Sequence, residues 1–88
     1  MKILVIYKDN TEHSRDVINF LRDFEYQTGH RLDTVDPDTQ EGTQLCELYD
    51  VFEFPTIIAT SDDGVMQKIW NGLPLPTINE LSYYIQQQ

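Results

Sequence analysis

A cluster of polar side chains that could perform chemistry follows the first apolar segment of this sequence. Thr11, Glu12, His13 and Ser14 bring two hydroxyls, a carboxylate and an imidazole within four positions. A hydroxyl beside a histidine could act as a nucleophile with a general base, and the same groups with Lys8 could bind an anion or a peptide carboxylate at a helix N-terminus. Because no third group that would orient the histidine is identifiable, the sequence predicts no catalytic residues here.

The residues on either side place this cluster between a strand and a helix. Residues 2–7 form a continuous apolar run that is typical of a strand buried on both faces. The apolar residues that follow recur at helical spacing: Val17, Phe20, Leu21 and Phe24. They predict a helix over residues 11–28, with Asn10 or Thr11 as its N-cap and Gly29 as its C-terminal stop. A capping role therefore explains these hydroxyls better than a catalytic one.

The remaining sequence predicts five more elements. They are a strand at 31–36, a helix at 43–51, strands at 54–60 and 65–70, and a helix at 77–85 capped by Thr77. The order β-α-β-α-β-β-α predicts an α/β fold in a single domain over residues 1–88, with a four-stranded mixed sheet and helices on both faces. The first two strands are expected to be parallel, and the last two to form an antiparallel hairpin.

Charge and composition exclude several classes of function. The net charge is −9, with 15 acidic side chains against 6 scattered basic ones, which argues against nucleic-acid binding. No apolar segment has the length of a membrane span or signal peptide, so we expect a cytoplasmic location and no membrane partner. The single cysteine, Cys46, cannot form an intrachain disulfide, and His13 and His30 lie about 25 Å apart along one predicted helix. The sequence therefore predicts no metal and no cofactor.

The second half of the chain resembles the C-terminal half of thioredoxin. The matching residues are Tyr49, Val51, Phe54-Pro55-Thr56, Gly64 and Gly72. The resemblance covers residues 2–86 without the family's N-terminal strand and helix, so the topology is closer to that of glutaredoxin. It implies a thioredoxin-like fold in which Pro55 is a cis proline facing the N-terminus of the first helix.

The resemblance also implies that the redox site of the family is missing. The family's Trp-Cys-Gly-Pro-Cys-Lys motif falls on residues 10–15, where Thr11 and Ser14 occupy the cysteine positions. An alignment shifted by one residue places Asn10 and His13 there instead. Val5 stands where thioredoxins keep a buried aspartate. Thiol–disulfide exchange needs a thiolate, so we expect no redox activity at this loop.

These observations favour a non-redox binding or scaffold module of the thioredoxin fold, with a protein or an extended peptide as its partner. The predicted binding residues come from two loops: Thr11, Glu12, His13, Ser14, Phe54, Pro55 and Thr56. An alternative is a single-thiol oxidoreductase that uses Cys46, with glutathione as a possible co-substrate. A third hypothesis is self-association through the apolar residues around Trp70 and 73–75.

Overall fold

The computed structural model describes residues 2–85 of the chain. In chain order they form β1 (Lys2–Ile6), α1 (Ser14–Thr28), β2 (Asp33–Val35), α2 (Gln40–Leu48), β3 (Thr56–Thr60), β4 (Met66–Asn71) and α3 (Ile78–Ile85). The predicted α/β order of elements is confirmed. None of the helices in this part of the chain is long and apolar enough to cross a membrane.

The four strands form one mixed sheet in the order β2-β1-β3-β4. β1 runs parallel to β2, with Val5 opposite Thr34, and antiparallel to β3, with Val5 opposite Ile57. β3 and β4 form the predicted antiparallel hairpin, in which Ile57 lies opposite Trp70. The central pair β1 and β3 carries the longest apolar runs, as expected for strands covered on both faces.

The two faces of the sheet are covered by different helices. Ile57 and Ala59 of β3 pack in a cluster with α1 and α3 residues, whereas Ile58, between them, packs with Ile6 and Val51 on the α2 side. This alternation follows from the two-residue repeat of a strand. The predicted layer of helices on each face is therefore confirmed.

Two helix starts differ from the predictions. α1 begins at Ser14 with His13 as its N-cap, three residues later than predicted, because residues 9–13 form turns that precede the helix. α2 begins at Gln40, three residues earlier than predicted, because the Thr39 hydroxyl accepts a hydrogen bond from the Gly42 N–H at 3.0 Å. Glycine in the first turn of a helix is a weak helix signal. For this reason the sequence predicts no helix over residues 37–42.

The capping of the last helix agrees with the sequence. The Thr77 hydroxyl accepts a hydrogen bond from the Glu80 N–H at 3.0 Å, which is the geometry of an N-cap. Leu81, one turn after Thr77, is completely buried against the sheet. α3 is thus fixed at its start by a cap and along its length by an apolar contact.

Candidate functional site

The β1–α1 loop, residues 7–13, carries three of the seven predicted binding residues, and Ser14 begins the helix that follows. Asn10 has φ of 61°, in the left-handed region that asparagine tolerates better than most residues. The Thr11 hydroxyl donates to the Lys8 carbonyl at 2.8 Å, and the Ser14 hydroxyl donates to the Thr11 carbonyl at 2.9 Å. Both hydroxyls therefore hold the shape of the loop, while Glu12 is exposed.

The His13 imidazole folds back over the same loop. Its Nε2 lies 3.1 Å from the Thr11 hydroxyl and 3.4 Å from the backbone nitrogen of Lys8. The Thr11 hydroxyl has a single proton and donates it to the Lys8 carbonyl, so this proton is not directed to the ring. The Ser14 hydroxyl is directed to a carbonyl and not to this ring. Neither the Thr11 nor the Ser14 hydroxyl is therefore arranged as a nucleophile with His13 as its base.

The cis-proline loop, residues 51–55, leads into β3 and carries the other half of the predicted site. The Phe54–Pro55 peptide bond is cis, and the Pro55 carbonyl accepts a hydrogen bond from the Gly72 N–H at 2.8 Å. The Pro55 ring and the Thr56 side chain are buried, and the Thr56 hydroxyl donates to the Glu53 carbonyl at 2.6 Å. Phe54 is half-buried, so it is the predicted residue of this loop whose side chain reaches the surface.

A lysine that sequence analysis considered only for anion binding joins the two loops. The Lys8 ammonium lies 5.5 Å from the centre of the Phe54 ring, within the range of a cation–π contact. It also lies 3.4 Å from a carboxylate oxygen of Asp38, which precedes α2. The Lys8 charge is therefore shared between an aromatic ring and a carboxylate, and the two loops lie side by side.

A pocket of about 350 Å³ opens between these loops and α2. Its apolar walls come from Pro37, Cys46, Val51, Phe52 and Phe54. Phe52 is 83 % exposed, which is unusual for an aromatic side chain. The sequence analysis assigned neither Phe52 nor the pocket to the site. The signal that was available is the pair of aromatic residues separated by one position, immediately before a proline.

The single cysteine lies in the wall of this pocket. Cys46 is half-buried on α2, and burial raises the pKa of its thiol above the ordinary value. A raised pKa lowers the fraction of thiolate at neutral pH, and the thiolate is the reactive form. The environment of Cys46 thus disfavours nucleophilic chemistry.

Comparisons with known proteins show the fold of this chain. No family model and no curated protein matches its sequence. Among solved structures, thioredoxin 1 from the thermophilic eubacterium Thermosipho africanus TCF52B matches with a TM-score of 0.66 and 17% identity, over 99% of this chain and 92% of that one. A malarial protein matches with a TM-score of 0.66 and 16% identity, over 97% and 92%.

A designed protein also matches, with a TM-score of 0.59 and 19% identity, over 98% of this chain and 73% of that one. At these identities the matches show architecture alone. The chain therefore has a thioredoxin-like fold, as the resemblance of its sequence implied.

Proposed function

We propose that this domain binds an extended peptide or protein segment between the cis-proline loop and the β1–α1 loop, without thiol–disulfide chemistry. The observation that carries the proposal is the backbone of Phe54. Within residues 2–85, neither its N–H nor its C=O has a backbone hydrogen-bond partner. An extended segment lying beside residues 53–55 would supply these partners, as in other complexes formed by strand addition.

The surroundings of Phe54 support the same proposal. Backbone polar groups next to apolar side chains are costly to leave unpaired when they lose contact with water. Phe54 and Phe52 offer apolar surface for side chains of the segment, and the adjoining pocket offers them space. An extended strand directs alternate side chains to one face. A segment that pairs with the Phe54 backbone can therefore also place one side chain in the pocket.

The composition of the loop supports a function without redox chemistry. The chain has one cysteine, and the Thr11 and Ser14 hydroxyls both donate to backbone carbonyls. A hydroxyl without an oriented base is a weak nucleophile at neutral pH. In this proposal the loop therefore forms one side of the binding site, and its exposed charged residues are Asp9 and Glu12.

Nuclear magnetic resonance tests the binding proposal directly. We expect pools of extended peptides with mixed sequences to shift the amide resonances of residues 10–15 and 53–57. The same pools with N-methylated backbones are expected to bind at least about tenfold more weakly, because lost backbone hydrogen bonds are worth about 1 kcal/mol each. Absence of shifts in both segments would refute the proposal, and equal binding of the N-methylated pools would refute its backbone-pairing part.

The alternative function, single-thiol chemistry at Cys46, has its own test. Because burial raises the pKa of this thiol, we expect the native protein at pH 7 to react with a thiol reagent several-fold more slowly than glutathione does. The rate should rise with pH as thiolate forms, and unfolding in denaturant should remove the difference. The Cys46→Ser variant, which has no thiol, measures the background reaction. A native reaction as fast as that of glutathione would favour the oxidoreductase over the binding module.

A further inference from the structure

The geometry points to an arginine side chain of the bound segment as the occupant of the pocket beside Phe54. This inference rests on the proposed function, since the arginine belongs to the peptide or protein segment that the two loops would hold. It specifies the chemistry of the partner: an extended segment with a cationic residue at the position that faces the pocket.

The charges at the rim of the pocket are mainly negative. Asp38, Glu47 and Asp50 contribute carboxylates to its lining, against one ammonium from Lys8. Lys8 is already paired with Asp38. Glu47 and Asp50 are exposed, and no cation of residues 2–85 forms an ion pair with either of them. An incoming cation would therefore meet carboxylates that have no competing partner, on a chain whose net charge is −9.

The walls of the pocket select among cations. Phe52 and Phe54 present aromatic rings, and Val51 and Pro37 add aliphatic surface. The guanidinium of arginine is planar and weakly hydrated, so it stacks on aromatic rings while its edge binds carboxylates. Its aliphatic stem covers apolar surface. Phe52, which is 83 % exposed, would be the ring with the most surface to gain.

The molecule itself contains an example of this mode of binding. The ammonium of Lys8 lies over the Phe54 ring at 5.5 Å and against the Asp38 carboxylate at 3.4 Å. An aromatic ring and a carboxylate of this pocket therefore already share one cation. Glu47 and Asp50, with Phe52, offer the same combination of groups without an internal cation.

A binding assay with matched peptides tests the inference. The probes are fluorescein-labelled extended peptides with mixed flanking residues and a fixed central arginine, citrulline or glutamate. Citrulline has nearly the shape of arginine but no charge. We expect the arginine pool to bind about tenfold more tightly than the citrulline pool, because citrulline loses both the cation–π contact and the ion pairs. The glutamate pool should bind most weakly.

Two double variants separate the pocket from the overall charge of the protein. Glu47→Gln with Asp50→Asn should remove most of the preference for arginine over citrulline. Asparagine tolerates the left-handed backbone of Asp50, whose φ is 54°, so this variant keeps the fold. The control, Asp16→Asn with Glu25→Gln, removes the same number of exposed charges from α1 and should keep the preference.

The outcomes distinguish this inference from the proposed function. If the arginine and citrulline pools bind equally while the resonances of residues 53–57 still shift, the arginine assignment is wrong and peptide binding stands. If no pool shifts these resonances, both fail. If both double variants lose the preference equally, the selectivity comes from net charge, and the pocket assignment is overturned.

Discussion

Replacement of Phe24 by alanine is expected to lower the free energy of unfolding by about 3–5 kcal/mol, the usual cost of removing a buried aromatic ring. Phe24 lies on α1 with no exposed surface, in the cluster that joins α1 to Ile57 of β3 and Leu81 of α3. The Phe20 ring, one turn earlier on α1, has its centre 6.1 Å from the centre of the Phe24 ring. A loss of this size is a large part of the stability of a small domain.

Tyr26 provides the matched control for this prediction. It is an aromatic residue of the same helix but is 91 % exposed, so Tyr26→Ala should change the free energy of unfolding by no more than about 0.5 kcal/mol. Urea denaturation followed by circular dichroism measures both variants under the same conditions. Equal losses from the two substitutions would contradict the packing of α1 on the sheet.

The elements that the sequence predicted well have strong local patterns. Residues 2–7 and 54–60 are apolar runs, and both contain central strands of the sheet. The apolar stripe that includes Val17 and Phe24 places α1 on the sheet, and both side chains are fully buried. In these segments local propensity and tertiary packing favour the same structure, which is the condition under which sequence reasoning works.

The start of α2 was predicted less well because its signals conflict. The Thr39 cap favours a helix from Gln40, but Gly42 disfavours one. A glycine is required there by packing, since a Cβ on Gly42 would lie 2.0 Å from the Asp36 carbonyl oxygen. That contact depends on how the helix meets the preceding segment, and no local pattern in the sequence records it.

The sequence indicates which segments carry the predicted site residues but not how their side chains are arranged. Residue types placed Thr11 and Ser14 at the helix start, whereas the direction of their hydroxyls depends on the turn that precedes α1. Thr56 is one of the predicted binding residues, and its side chain is fully buried. Apart from Lys8, the residues that line the pocket lie within 37–54, but they belong to α2 and to the loops on either side of it. Neither periodicity nor spacing could therefore have indicated that Phe52 and Asp38 line it together.

Replacement of Gly42 by alanine is expected to destabilise the domain by about 2–3 kcal/mol, although alanine is the better helix former by about 1 kcal/mol. The new Cβ would lie 2.0 Å from the carbonyl oxygen of Asp36 and 2.8 Å from the Cα of Pro37. Both are backbone atoms, so α2 and the segment before it must separate. Urea denaturation measures the loss.

Gly29→Ala is the comparison that isolates this clash. Gly29 has φ of 74° and nothing within 4 Å of its Cβ position, so the substitution should cost only the backbone strain of about 1–2 kcal/mol. The two glycines also differ in their distance from the pocket. Pro37 and Asp38 line it, so Gly42→Ala should weaken peptide binding as well as folding, whereas Gly29→Ala should weaken folding alone. A Gly42→Ala variant with unchanged stability would show that α2 does not pack against residues 36–37 as described.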